Sequence, residues 1–194
     1  DDYSMRNCIN EGTVTGGTYT GGVIGTSSVW LEGCVNTGSV RGISEIVGDF
    51  SGYIGGIAGF QGYNMLNCVN TGNVTGMADK VGGMAGIVYE GTIQNCYNGG
   101  AISGVGGDVG GMAGKVNGAI IQSCVNNGPV SGGANNIGGL AGSLDGATIR
   151  NCINYADISV HESAIAINVA GVAGYVQGRS LVTNCLTTGD VSGT

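Results

Sequence analysis

Seven cysteines set the beat of this chain: Cys8, Cys34, Cys68, Cys96, Cys124, Cys152 and Cys185, separated by 26, 34, 28, 28, 28 and 33 residues. What surrounds them repeats as well. Two residues after each stand Asn10, Asn36, Asn70, Asn98, Asn126 and Asn154, then Thr187. Four after stand Gly12, Gly38, Gly72, Gly100, Gly128, Ala156 and Gly189, and six after stands Val or Ile throughout, from Val14 to Val191. Self-similarity at a period between 20 and 50 residues marks a solenoid, a propeller or an array. Architecture is therefore decided before any question of a site.

The content of one period narrows the choice. A unit runs from Cys through x-Asn-x-Gly-x-Val to a variable loop. The phrase Gly-Gly-x-Ala-Gly, a short turn and an apolar strand back to Cys complete it. Glycine-punctuated runs of Val, Ile and Thr read as short strands, and 42 glycines in 194 residues argue against helix. Hydrophobic residues make up 42% of the chain and recur at fixed positions, which argues against disorder. The unit is too short for a propeller blade. The pattern predicts an all-β parallel β-helix of about six coils, each with three short strands, right-handed by the usual hand of parallel connections. Residues 1–194 form one such domain, cut from a longer protein, with 1–20 as an incomplete first coil.

Each recurring position has a physical reason. Asparagine tolerates positive φ and can bond to the coil above and below, so Asn10, Asn36, Asn70, Asn98, Asn126 and Asn154 are expected to form a ladder. Gly-Gly-x-Ala-Gly lacks bulk and lets backbones approach closely. The cysteines, odd in number and at one repeat position, are expected to form a buried row of free thiols serving as small apolar filler.

These residues resemble a known motif. Val109-Gly110-Gly111-Met112-Ala113-Gly114, followed by Ile121-Gln122-Ser123-Cys124-Val125-Asn126-Asn127-Gly128-Pro129-Val130-Ser131-Gly132, is similar to the GLUG motif, as is Ile137 to Gly142 with Ile149 to Cys152. The resemblance extends from Gly21 onward. It implies an extracellular or cell-surface bacterial scaffold, as in large adhesins or the accessory regions of IgA-specific metalloendopeptidases. The chain departs from the motif in carrying Cys where Ser is common, and at Ala156 and Val160, which replace glycines.

Net charge is −7, and the basic residues Arg6, Arg41, Lys80, Lys115, Arg150 and Arg179 are scattered. Nucleic acid and anionic membrane surfaces are poor partners for such a chain. No run of about 20 apolar residues is present, so membrane insertion is not expected. No cofactor or metal is expected either. His161-Glu162 opens like H-E-x-x-H, but Ile165 stands where the second histidine belongs, and His161 is the single histidine. Ser163 and Asp157 are near it in sequence only, so a solvated loop histidine is expected. Acids and bases are dispersed, and catalysis by this chain is not expected. Asp108 in Gly106-Gly107-Asp108 resembles a fragment of a calcium nonapeptide, but no array follows.

The variable loop after x-Val-x-Gly is the one irregular place. It lengthens between Ile43 and Tyr53 and again between His161 and Asn168. Insertions in a solenoid fall on one edge, often the binding edge. Glu45, Asp49, Phe50 and Tyr53, with His161 and Glu162, are therefore the candidate ligand-binding residues. A host protein or a glycan is the expected partner, since aromatic faces bind sugars and anchor interfaces. Three readings follow: a stalk or adhesion module, an accessory region of a large surface metalloprotease, and a carbohydrate-binding module using loop 43–53.

Overall fold

The computed structural model describes residues 3–43, 52–77, 79–133, 135–161 and 168–193. The described chain is a parallel β-solenoid without helix. Its strands form five parallel sheets, here A to E in the order the chain visits them. A, B and C have seven strands each, D and E six. In the fourth turn they are Thr92–Gln94, Tyr97–Asn98, Ile102–Gly104, Asp108–Gly110 and Ala113–Asn117. The first turn, Ser4 to Ser27, already carries all five.

Each turn thus has five short strands where the sequence pattern predicts three. The reason lies in two sharp bends. The residue before each cysteine, Asn7, Gly33, Asn67, Asn95, Ser123, Asn151 or Asn184, has φ between 52° and 62°. A left-handed residue cannot continue a strand, so the segment that reads as one strand through Cys becomes two, in sheets A and B. Gly-Gly makes the second break, between D and E.

The register is strict. Asn10, Asn36, Asn70, Asn98, Asn126 and Asn154 pair in sequence across sheet B. Each donates its Nδ2 to the next Oδ1 at 2.7–2.8 Å, and the last donates to Thr187 Oγ1 at 3.2 Å. The same Nδ2 also holds the carbonyl two residues on, closing the bend. From Asn36 to Asn154 the row is fully buried.

The second glycine of the Gly-Gly pair faces this row. A Cβ on Gly83 would lie 2.5 Å from Asn98 Cγ and closer still to Gly111 O. Only a residue without a side chain lets the two backbones meet there. One apolar cluster lies between sheets A and E, with Leu31, Met65, Ile93, Ile121 and Ile149 inward. The other lies between C and D, with Val74, Val81, Ile102, Val109 and Ile137. At roughly 4.8 Å per rung, six full turns rise about 29 Å.

The cysteines line up as the pattern predicts, free, and buried from Cys34 to Cys152, with Cys8 and Cys185 half-buried at the ends. They do more than fill space. The Cys68, Cys96 and Cys124 amides donate to the sulfur of the next turn at 3.4 Å. Each of those sulfurs in turn points its S–H at the carbonyl two residues back, at 3.2 Å. The thiol row satisfies backbone groups at the corner where sheet pairing lapses. Burial pushes the Cys34 and Cys96 thiols up, and the hydrogen bond with Cys124 together with burial does the same for Cys152. Hydrogen bonds from Cys96 and Cys152 favour ionisation at Cys68 and Cys124, but that charge would sit in the same dry row. Burial therefore dictates a protonated row.

Candidate functional site

The irregular loops all join sheet C to sheet D, so they share one edge. Two outward rows flank it. On sheet C the middle residue of each strand points out because its neighbours, a Val or Ile and usually a Gly, point in. That row reads Thr15, Arg41, Thr75, Ser103, Ser131, Ser159 and Ser192 in register. On sheet D the first residue points out, giving Tyr19, Tyr53, Lys80, Asp108, Asn136 and Asn168.

His161 follows the sheet C strand of the sixth turn, Ile158–Val160. Its backbone N–H donates to Gly132 O at 2.8 Å. Its Nε2 lies 3.1 Å from Ser103 Oγ and 3.3 Å from Ser131 Oγ. The ring is half-buried and reaches serines two and one turns below it, where the sequence suggests a solvated loop residue. Ser131 Oγ also donates to Ile102 O at 3.4 Å. With Nδ1 protonated, Nε2 accepts the Ser103 proton; with Nε2 protonated, it donates to a serine oxygen. Among the described residues nothing hydrogen-bonds Nδ1. An open groove of about 430 Å³ runs beside Ser103, walled by Arg41, Thr75, Met77 and Val105. A polar ligand would meet hydroxyls, a guanidinium and two apolar side chains there.

The sheet D row changes character along the axis. Tyr19 and Tyr53 meet edge to face, with ring centroids 5.2 Å apart. Lys80 Nζ sits 5.4 Å from the Tyr53 ring centroid, a cation–π contact, and 3.4 Å from Asp79. Asp108 is buried, accepting from Asn136 Nδ2 at 2.6 Å and from Ser143 Oγ on sheet E at 2.8 Å. Asn168 continues the row by donating to Asn136 Oδ1 at 2.7 Å. Asp108 therefore belongs to a hydrogen-bonded ladder. Among the described residues no three of His, Cys, Asp and Glu converge to hold a metal.

Of the six candidate ligand-binding residues, Tyr53 and His161 stand on this edge. Glu45, Asp49, Phe50 and Glu162 lie outside the described residues. Sequence reasoning did not pair His161 with Ser103 and Ser131, which are 58 and 30 residues away. The signal was present in the repeat alignment, which puts both serines in one outward column leading to His161.

No family model matches the chain, and no curated protein matches it. The fold is similar to that of a crystal structure from Bacteroides ovatus described as a "putative immunoglobulin A1 protease". The superposition has a TM-score of 0.72 at 19% identity and covers 97% of this chain and 67% of that one. At that identity the likeness is one of fold.

Proposed function

We propose that this chain is a non-enzymatic, extracellular β-solenoid region of a bacterial surface protein, serving as an accessory scaffold to a protease. The likeness to the Bacteroides ovatus protein over almost the whole chain carries this reading. The resemblance of the repeat phrase to the GLUG motif supports it. So does the composition: one histidine and no H-E-x-x-H leave the hydrolytic chemistry to another part of such a protein. A rod of stacked turns holds its ends at a fixed separation, and its loop edge is free for contact.

The test has two arms. The purified chain is incubated with immunoglobulin A1, and no cleavage is expected. Intact cells are probed with an antibody to the chain, and surface labelling is expected. Cleavage by the chain alone, or labelling only after lysis, removes the reading.

A second reading, glycan contact at the loop edge, is favoured by the Tyr19–Tyr53 pair beside Lys80 and the hydroxyl-lined groove. A glycan array on the chain and on Tyr53→Ala decides it. Signal unchanged by the substitution, or none, rejects the contact.

A further inference from the structure

A different corner of the solenoid, where sheet E turns into sheet A, carries an aromatic patch that no repeat rule requires. Trp30, the single tryptophan, is 39% exposed, and Tyr63 one turn on is 47% exposed. Their ring centroids are 6.0 Å apart, tilted by 47°. Tyr3, whose carbonyl accepts from the Trp30 amide, and Tyr89 in the third turn are also exposed. Gly91 sits directly over Tyr63, where a Cβ would strike the Tyr63 backbone. From the fourth turn onward the same corner reads Asn117-Gly118, Asp145-Gly146 and Gln177-Gly178. Trp30 and Tyr63 thus mark the first two passages of this corner, whose turns lack the left-handed residue found at Glu90, Gly118, Gly146 and Gly178.

We infer that Trp30 and Tyr63 form a stacking platform for an uncharged glycan. Tryptophan and tyrosine rings present an apolar face with a polar tip, which suits the C–H face of a sugar ring. The neighbouring outward side chains are polar, among them Asn64, Glu90 and Thr92, and can bond to hydroxyls. Charge selects among glycans. The chain carries −7, and Glu90 stands beside the patch, so acidic sugars and anionic membranes are repelled.

Trp30 is its own reporter. Titration with neutral oligosaccharides should shift and quench its emission, and a glycan array should retain neutral and not acidic structures. Trp30→Ala and Tyr63→Ala should each weaken retention by roughly tenfold, with the circular dichroism spectrum of the folded chain retained. Tyr155→Ala, an exposed tyrosine outside both aromatic pairs, should retain full binding. The inference is overturned by silent Trp30 emission with an empty array, or by retention indifferent to both substitutions. Retention of acidic glycans or anionic vesicles alone also overturns it, as does binding lost only in Tyr53→Ala. None of these outcomes bears on the accessory role proposed above, which cleavage and localisation test separately.

Discussion

Replacing Asn98 by alanine removes the centre of the buried amide ladder. Three hydrogen bonds go: the donation to Gly100 O at 3.0 Å, the donation to Asn126 Oδ1 at 2.7 Å, and the acceptance from Asn70 Nδ2 at 2.8 Å. Each is worth about 1 kcal/mol net. The change also strands Asn126 Oδ1 in a site with no exposure to water, and an orphaned buried acceptor costs about 1–3 kcal/mol. Some of that penalty is already counted in the lost bonds, so Asn98→Ala should cost about 3–5 kcal/mol. The end of the ladder supplies the control. Asn10 makes two such bonds in a half-exposed setting, where water can replace them. Asn10→Ala should cost about 1–2 kcal/mol. The double variant Asn98→Ala/Asn126→Ala should cost less than the two single changes together, because the stranded oxygen is gone. Urea unfolding followed by far-ultraviolet circular dichroism, with Trp30 emission as a second probe, measures all four. A central loss under about 1 kcal/mol, or one equal to that at Asn10, refutes the claim that the amides stack in a dry row.

Other perturbations probe the remaining rows. Gly83→Ala drives a methyl into Gly111 O and the Asn98 amide and should abolish cooperative melting, whereas Gly146→Ala, with open space around it but φ at 59°, should cost only about 1 kcal/mol. Ser123 holds φ at 53° where Gly33 serves elsewhere, so Ser123→Gly should raise the melting temperature by relieving about 1 kcal/mol of strain. Cys124→Phe should overpack the row and cost about 1–3 kcal/mol, while Cys124→Ser, which can still accept from the Cys96 amide and donate to Gln122 O, should be tolerated better. The buried thiols also predict alkaline sensitivity. The folded pKa values of Cys34, Cys96 and Cys152 are raised above the ordinary 9.0, so at those three the unfolded chain releases its protons first as pH climbs. Stability from this source is intact below about pH 9 and declines above it, and melting curves from pH 7 to 10.5 should show a fall that Cys96→Ala lessens.

Much of this architecture was legible because the repeat is strict where the interior is crowded. The Asn and Cys columns read directly from the spacing, since every turn must present the same group at the same height. Gly-Gly-x-Ala-Gly was legible as a place of close approach, and Gly83 shows that reason at work. The strand count was not. A positive φ at Asn95 or Ser123 leaves the residue pattern continuous while breaking the strand, so one apparent element became two. The loop edge was legible as the place of insertion, and Tyr53 and His161 stand on it. What His161 touches was not, because a loop residue's partners depend on a path that no repeat position specifies. The Trp30–Tyr63 patch escaped notice because it lies at a short turn away from the conspicuous insertions, and only exposure reveals it.

The stacking itself is open to one direct observation. Crystals of this chain, measured at a wavelength where sulfur scatters anomalously, would show the cysteine sulfurs without reference to any fold. The account predicts twelve sulfur peaks, five from the methionines, with those of Cys8, Cys34, Cys68, Cys96, Cys124, Cys152 and Cys185 on one line at intervals of about 4.8 Å. Cysteine peaks scattered through the volume, or joined in pairs at bonding distance, would contradict it.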